Sequence, residues 1–219
     1  MIEGRLAAHL HAWLGRWPGD RPGLTVVGSA ARDEPGWDGG LHRVLGVTTP
    51  AHGVLSVPPS SAAVVTAWLD QGRDPVGIPA ATGLPGRWFD GVFRWCVAPA
   101  PLPDAGEWLP AGDPTVPEWL RPFGGDVLVA VDPVGGEHLA GVGVKEHDAH
   151  GRELAVVTAP AARGRGLARR LVAQAARRVL DEGAVPTYVH ARGNTASASV
   201  AAAAGFPDVG WSLLGVETE

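Results

Sequence analysis

The stretch Leu154-Ala155-Val156-Val157-Thr158-Ala159-Pro160-Ala161-Ala162-Arg163-Gly164-Arg165-Gly166-Leu167-Ala168-Arg169-Arg170-Leu171-Val172-Ala173-Gln174-Ala175-Ala176-Arg177-Arg178-Val179-Leu180 decides the fold. Its first five residues are an apolar run of the length and composition of a buried strand. From Leu167 the apolar positions 167, 168, 171, 172, 175, 176, 179 and 180 alternate in steps of one and three. That spacing predicts a helix with one buried stripe and Arg169, Arg170, Arg177 and Arg178 on the other face. Gly183 is placed to end it. Between strand and helix, Gly164 and Gly166 lack a Cβ, so an anion can approach the backbone closely. The first-turn N–H groups of the helix have no intrahelical partner and carry the positive end of its dipole. Arg163 and Arg165 add formal charge, so strand, turn and helix together suit a diphosphate. A solvated basic turn is the plainer alternative. The pattern is not a P-loop, because no Gly-Lys-Ser/Thr follows, and it lacks the third glycine of a dinucleotide fingerprint.

Working outward, the C-terminal part reads as β-β-β-α-β-α-β. Strands are expected over 126–132, 138–145 and 153–158, then the long helix, a strand over 186–190, a helix over 195–204 ended by Gly205, and a strand over 211–216. Upstream, residues 2–17 read as a helix with Leu6, His9, Leu10, Trp13, Leu14 and Trp17 on one face, stopped by Pro18-Gly19. Short strands over 24–27, 44–48 and 54–57, the last two a hairpin, precede a helix from Ser60 or Ser61 to Leu69. The Pro/Gly-rich run 74–86 is the best internal boundary, dividing residues 1–86 from residues 87–219. Residues 88–97 read as a strand that opens the second unit, and 99–123 as proline-rich with short helices around Glu107-Trp108 and Glu118-Trp119-Leu120-Arg121.

Composition narrows the function classes. Hydrophobic residues make up 45% of 219, enough for a sizeable core, and the net charge of −5 argues against general nucleic-acid binding. Lys145 is the sole lysine, so arginine richness reflects a compositional bias as much as function. Cys96 is the single cysteine, which rules out an internal disulfide and a cysteine zinc site and fits a reducing cytoplasm. No basic leader followed by an apolar core and no run of eighteen apolar residues occurs, so neither signal peptide nor membrane span is expected.

Arg163-Gly164-Arg165-Gly166-Leu167-Ala168 resembles the Arg/Gln-x-x-Gly-x-Gly/Ala signature of the GNAT superfamily of acyl-CoA-dependent N-acetyltransferases. Val157-Thr158-Ala159-Pro160 upstream, and Asn194-Thr195-Ala196-Ser197 followed by Gly205-Phe206 downstream, resemble that family's flanking segments. The resemblance covers residues 126–216 and implies an α/β (mixed α+β) GNAT fold: a central mixed sheet with flanking helices. The smaller N-terminal α+β region would be an extension or a degenerate GNAT-like unit. It further implies acetyl-CoA or another acyl-CoA as co-substrate and no metal. The diphosphate would rest on the N–H groups of Arg163, Gly164, Arg165, Gly166, Leu167 and Ala168. The pantetheine arm would pair with Val156, Val157 and Thr158, and Asn194 and Ser197 would meet it at the next strand; capping is the local alternative for both.

Acyl transfer needs an uncharged amine, and so a base. Glu153 leads among Glu146, His147, Asp148, Glu153 and His190. Many relatives carry a Tyr seven residues after the Asn as acid to the leaving thiolate. That position is Ala201 here, and the only tyrosine is Tyr188. The expectation is therefore a cytoplasmic N-acyltransferase acting in a ternary complex. Its acceptor would be an amine, whether small molecule or protein N-terminus, and a homodimer is allowed. A non-catalytic acyl-CoA-binding module is the second reading, and nucleic-acid binding by the Arg163–Arg178 face the third.

Overall fold

The computed structural model describes residues 2–217. In chain order the elements are α1 (Ile2–Leu14), β1 (Gly23–Gly28), β2 (Leu45–Thr48), β3 (His52–Val57), α2 (Ala62–Asp70), α3 (Ile78–Thr82), β4 (Arg87–Trp95), β5 (Glu107–Pro110), β6 (Asp126–Val131), β7 (His138–Glu146), β8 (Gly151–Thr158), α4 (Leu167–Asp181), β9 (Val185–Ala191), α5 (Thr195–Ala204) and β10 (Ser212–Glu217). The ten strands form one mixed sheet in the order β1-β3-β2-β10-β4-β9-β8-β7-β6-β5. β1 pairs parallel to β3, β8 parallel to β9, and the other neighbours are antiparallel. This is the mixed α/β architecture read from the sequence.

The sheet runs unbroken through the proline-rich boundary, because β2 pairs with β10, the last strand. β4, expected to open the second unit, lies in mid-sheet between β10 and β9. α1 also crosses the boundary: Leu6, Leu10, Trp13 and Leu14 bury against Phe93 of β4, Val185 of β9 and Leu213 of β10. His9 on the same helix is wholly buried, and its Nδ1 meets Asp148 Oδ2 at 2.7 Å in the turn between β7 and β8. Gly151 makes room for that ring, since a Cβ there would lie 2.1 Å from His9 Nδ1.

Strand alternation assigns each residue a face. Leu154 of β8 and Tyr188 of β9 pack under α4 and α5, in one cluster with Leu171, Val172, Ala175, Ala176 and Val179. These are the stripe positions of the α4 pattern, each large one worth about 1.5–3 kcal/mol on burial. Glu153, Gly141, Gly143 and Lys145 consequently face the opposite side, where α1 and the 3-10 turn Glu118–Phe123 lie. Gly143 has no room for a Cβ, which would sit 2.4 Å from the Phe123 ring. The helix expected at Glu107-Trp108 is instead the edge strand β5, paired with β6; only the 3-10 turn at 118–123 is helical. Trp108 alternates with Glu107 and Leu109 on a half-buried edge, a pattern too short for its period to declare itself.

The polar face of α4 is not a free basic surface. Arg170 Nε donates to Pro103 O at 3.1 Å, Arg177 Nη1 to Ala100 O at 3.2 Å, and Gln174 bonds both the N–H and the C=O of Gly106. Arg178 pairs with Asp126 and Glu182 at 2.8 Å and stacks over Trp108. Arg170, Gln174 and Arg177 hold down residues 100–106, and ion pairs engage Arg177 and Arg178, while Arg163, Arg165, Arg169 and Arg170 form none among the described residues.

Candidate functional site

Two features lie at the end of β8. The first is a strand split. β8 and β9 pair only through Gly151↔Val185, Arg152↔Pro186 and Glu153↔Thr187. Beyond Glu153 the strands part, while β8 stays paired to β7 as far as Ala140↔Thr158. Leu154–Thr158 therefore presents one unpaired backbone edge to the gap. Val156 packs into the α4 cluster, whereas Val157 is about half exposed on the other face, and Thr158 closes the edge.

The second feature is the glycine turn. Gly164 and Gly166 both sit at φ 76, a left-handed conformation open to glycine at no cost. Gly166 is the N-cap of α4; no side chain caps it, and no acidic residue occupies the first turn. The N–H groups around Leu167 and Ala168 are left for an outside acceptor. Arg163 is extended, with Nε 3.5 Å from Thr158 O, and the Asp132 carboxyl is lowered mainly by the N–H groups of Gly135 and Val134, with the nearby Arg165 charge adding to them. The local pattern read from sequence thus becomes an uncapped helix N-terminus beside a free strand edge.

Asn194 caps α5: its Oδ1 accepts from Ser197 N at 3.0 Å, the local role weighed for it. Ser197 Oγ lies 2.9 Å from the Tyr188 hydroxyl. Burial pushes the Tyr188 phenol above its ordinary value, against the opposing pull of Ser197 and the Arg94 charge, so it remains a proton donor at neutral pH. Ser197 and Ala201 are four apart on α5, so the phenol rises from β9 beside the helix face that carries the wholly buried Ala201.

Glu153 stands on the other face, at the last paired position before the split. It is 7% exposed. Its Oε1 accepts from Lys145 Nζ at 2.6 Å and its Oε2 lies 3.1 Å from His147 Nε2. Burial works against the charge and is the largest influence, yet His147 and Lys145 together override it and hold the carboxyl at about 2. A carboxylate so stabilised is a weak proton acceptor on its own. The other candidate bases are engaged elsewhere: Glu146 with Arg152, Asp148 with His9, and His190 with both Arg94 Nε and Ala191 O. His190 and Tyr188 share the α4 face; Glu153 and His147 share the α1 face.

Glu153, Lys145 and His147 line a cavity of about 400 Å³ on that face, walled by Trp13, Trp37 and Phe89. The segment 31–45 contributes much of the lining, including Arg32. No motif in the sequence marked this segment. Buried Cys96 lies outside the cavity lining with its thiol pushed up to about 11 by burial, unsuited to act as a nucleophile. Among the described residues no cluster of His, Cys, Asp and Glu could hold a metal ion, and no helix is long and apolar enough to cross a membrane.

The Acetyltransferase (GNAT) family profile matches residues 89–206. Among solved structures, a GNAT-family protein from Novosphingobium aromaticivorans is 24% identical over 60% of this chain and 66% of its own, with a TM-score of 0.48. An acetyltransferase of the GNAT family from Colwellia psychrerythraea is 14% identical over 66% of this chain and 62% of its own, at 0.47. The chain thus spans less than two thirds of each of these two proteins. A GCN5-related N-acetyltransferase-like protein from Streptococcus suis is 18% identical over 99% of this chain and 100% of its own, at 0.49. No curated protein matches the chain significantly.

Proposed function

Since the chain belongs to the GNAT acetyltransferase family, we propose that it transfers an acyl group from acyl-CoA, acetyl-CoA first, to a primary amine by direct attack in a ternary complex. The observation that carries this reading is the conjunction of the uncapped glycine turn at Gly166 with the unpaired edge of β8. The diphosphate rests on the N–H groups from Arg163 to Ala168. The pantetheine arm adds as a strand along Val156, Val157 and Thr158, with Asn194 and Ser197 on its far side. A β8 N–H at the split polarises the thioester carbonyl.

The amine approaches from the Glu153 side. In the tautomer where His147 donates Nε2–H to Glu153, Nδ1 keeps its lone pair; it accepts the ammonium proton, and Glu153 stabilises the resulting imidazolium. The freed amine attacks the thioester carbon, the C–S bond breaks and Tyr188 donates its proton to the departing thiolate; the proton that the nitrogen sheds on becoming an amide passes through water to restore the Tyr188 phenol, and His147 returns its own to solvent. Base and acid lie on opposite faces of the sheet, with the split between them. Residues 1–86 act here as an extension that completes the amine side, with residues 87–219 as the acyl-CoA domain, in the cytoplasm.

The test is thermal unfolding with and without acetyl-CoA, followed by thiol release with amines. Ligand at about 100 times its Kd adds about 2.7 kcal/mol, a rise of about 5–11 °C for a chain of this size. Gly166→Glu abolishes the shift, because φ 76 and Arg169 Nε at 3.0 Å from the new Cβ disfavour a side chain and the carboxylate repels phosphate. Unchanged affinity in that variant sinks the diphosphate assignment. Ala201 and the low proton affinity of Glu153 favour a second reading, an acyl-CoA-binding module without turnover; a thermal shift with no thiol released for any amine selects it.

A further inference from the structure

The cavity beside Glu153 contains a cation that the protein does not neutralise. Arg32, in the 3-10 turn Ala30–Arg32, is 6% exposed. Its Nη2 donates to Trp13 O at 3.0 Å and its Nη1 to His42 O at 3.2 Å, while Nε is buried with no partner. Two carbonyls satisfy two of the five N–H donors of a guanidinium and supply only partial charge, even with Trp13 in the last turn of α1. Among the described residues Arg32 forms no ion pair. Arg94, also buried, does: its Nη2 reaches Asp208 at 3.3 Å. Glu34, two residues from Arg32, is exposed and unpaired. Burial alone lowers the proton affinity of Arg32, with nothing opposing it. An uncompensated buried charge is among the costliest things a fold can hold. One that lines an open cavity is explained by a ligand that supplies the opposite charge.

The remainder of the lining describes the rest of that ligand. Glu153, Lys145 and His147 neutralise one another at the floor, and the lining carboxylates Glu34 and Glu217 are exposed to water, so Arg32 is the buried lining charge that forms no ion pair among the described residues. Trp13, Trp37, Phe89, Val189 and Leu213 offer aromatic and aliphatic walls. Val189 follows Thr187 across the strand split, which sets the cavity against the reacting position. We propose that the amine acceptor is an amino acid with an apolar side chain. Its carboxylate pairs with the Arg32 guanidinium, its side chain lies against the Trp13 and Trp37 rings, and its amine faces Glu153 and His147. This rests on the acyl-transfer reading for the amine's fate, but not for the carboxylate's binding.

The test uses the full chain and matched probes: L-phenylalanine and L-leucine against phenethylamine and isoamylamine, which lack only the carboxylate. Calorimetric binding is measured without acetyl-CoA, and thiol release with it. A charged hydrogen bond in a buried site corresponds to about 10- to 100-fold in affinity. Each amino acid is expected to bind, and to react at a kcat/KM, better than its amine by that factor. Arg32→Gln keeps donors for the two carbonyls and is expected to erase the difference, read as the ratio of amino acid to matched amine within the variant. Amines that equal their amino acids overturn the proposal, as does a variant that weakens both probes alike, which would make Arg32 a structural tie between α1 and the loop. If Arg32→Gln does not fold, the comparison on the unaltered chain still decides. If acetyl-CoA neither binds nor reacts, the acyl-transfer reading fails, while the calorimetric preference for the carboxylate stands or falls by itself.

Discussion

Replacing Glu153 by Gln keeps the side chain's size, removes its charge from between Lys145 and His147, and exchanges one acceptor oxygen for an amide donor. The carboxyl stands at about 2 in the folded chain against an ordinary value of 4.5. At about 1.4 kcal/mol per tenfold change, that difference makes the ionised group worth about 3 kcal/mol of stability at neutral pH. Because the folded value is depressed, the unfolded chain takes up the proton first as the pH falls. The stabilisation is therefore complete above about pH 4.5, declines from there down, and is gone near pH 2. Urea unfolding of both proteins at pH 7, 5, 4 and 3 reads this directly. The variant should lie about 3 kcal/mol below the parent at pH 7, or about 6–12 °C lower in Tm, with the gap narrowing steadily below pH 4.5. Lys145 is partly exposed and can turn its ammonium to water, so the gap should not greatly exceed that figure. A gap that is the same at pH 7 and pH 3 would refute the reasoning, because the loss would then come from packing and not from the carboxylate's charge.

Two further outcomes follow from the same geometry. Tyr188→Phe should lower kcat by about 100-fold if the phenol protonates the thiolate, at a stability cost of about 1 kcal/mol for the Ser197 bond; an unchanged kcat in steady-state thiol release would remove Tyr188 from the mechanism. Gly151→Ala should destabilise by about 1–3 kcal/mol through collision with the buried His9 ring, measured by urea midpoint. In a His9→Ala background that penalty should vanish, and additivity of the two substitutions would disprove the contact.

Much of the C-terminal half could be read directly. The α5 limits fall at Thr195 and Ala204 as expected, and α4 ends one residue later than expected, at Asp181 ahead of left-handed Gly183. The β2–β3 hairpin was equally plain from its turn residues. Ser61 precedes α2 as foreseen, but its side chain makes no capping bond. One misread stretch was Glu107–Pro110, where four residues ending in a proline carry no period and only the partner β6 makes them a strand.

What the sequence alone determined is the local chemistry of the segment proposed to take acyl-CoA: apolar strand, two glycines, a helix with a bare N-terminus. Those residues are contiguous, and helix periodicity and glycine's freedom at positive φ act over a few residues. What only the tertiary structure decided is the cavity proposed for the amine. That Arg32, Trp13, Lys145 and Glu153 share one cavity depends on α1 packing across β9 and β8 and on β2 joining β10. Such pairings join residues more than a hundred positions apart, and no periodicity in the chain encodes them. Nor could composition tell that Arg177 and Arg178 are tied down while Arg32 is buried without a counter-charge. That difference is set by which carboxylates the fold brings within reach.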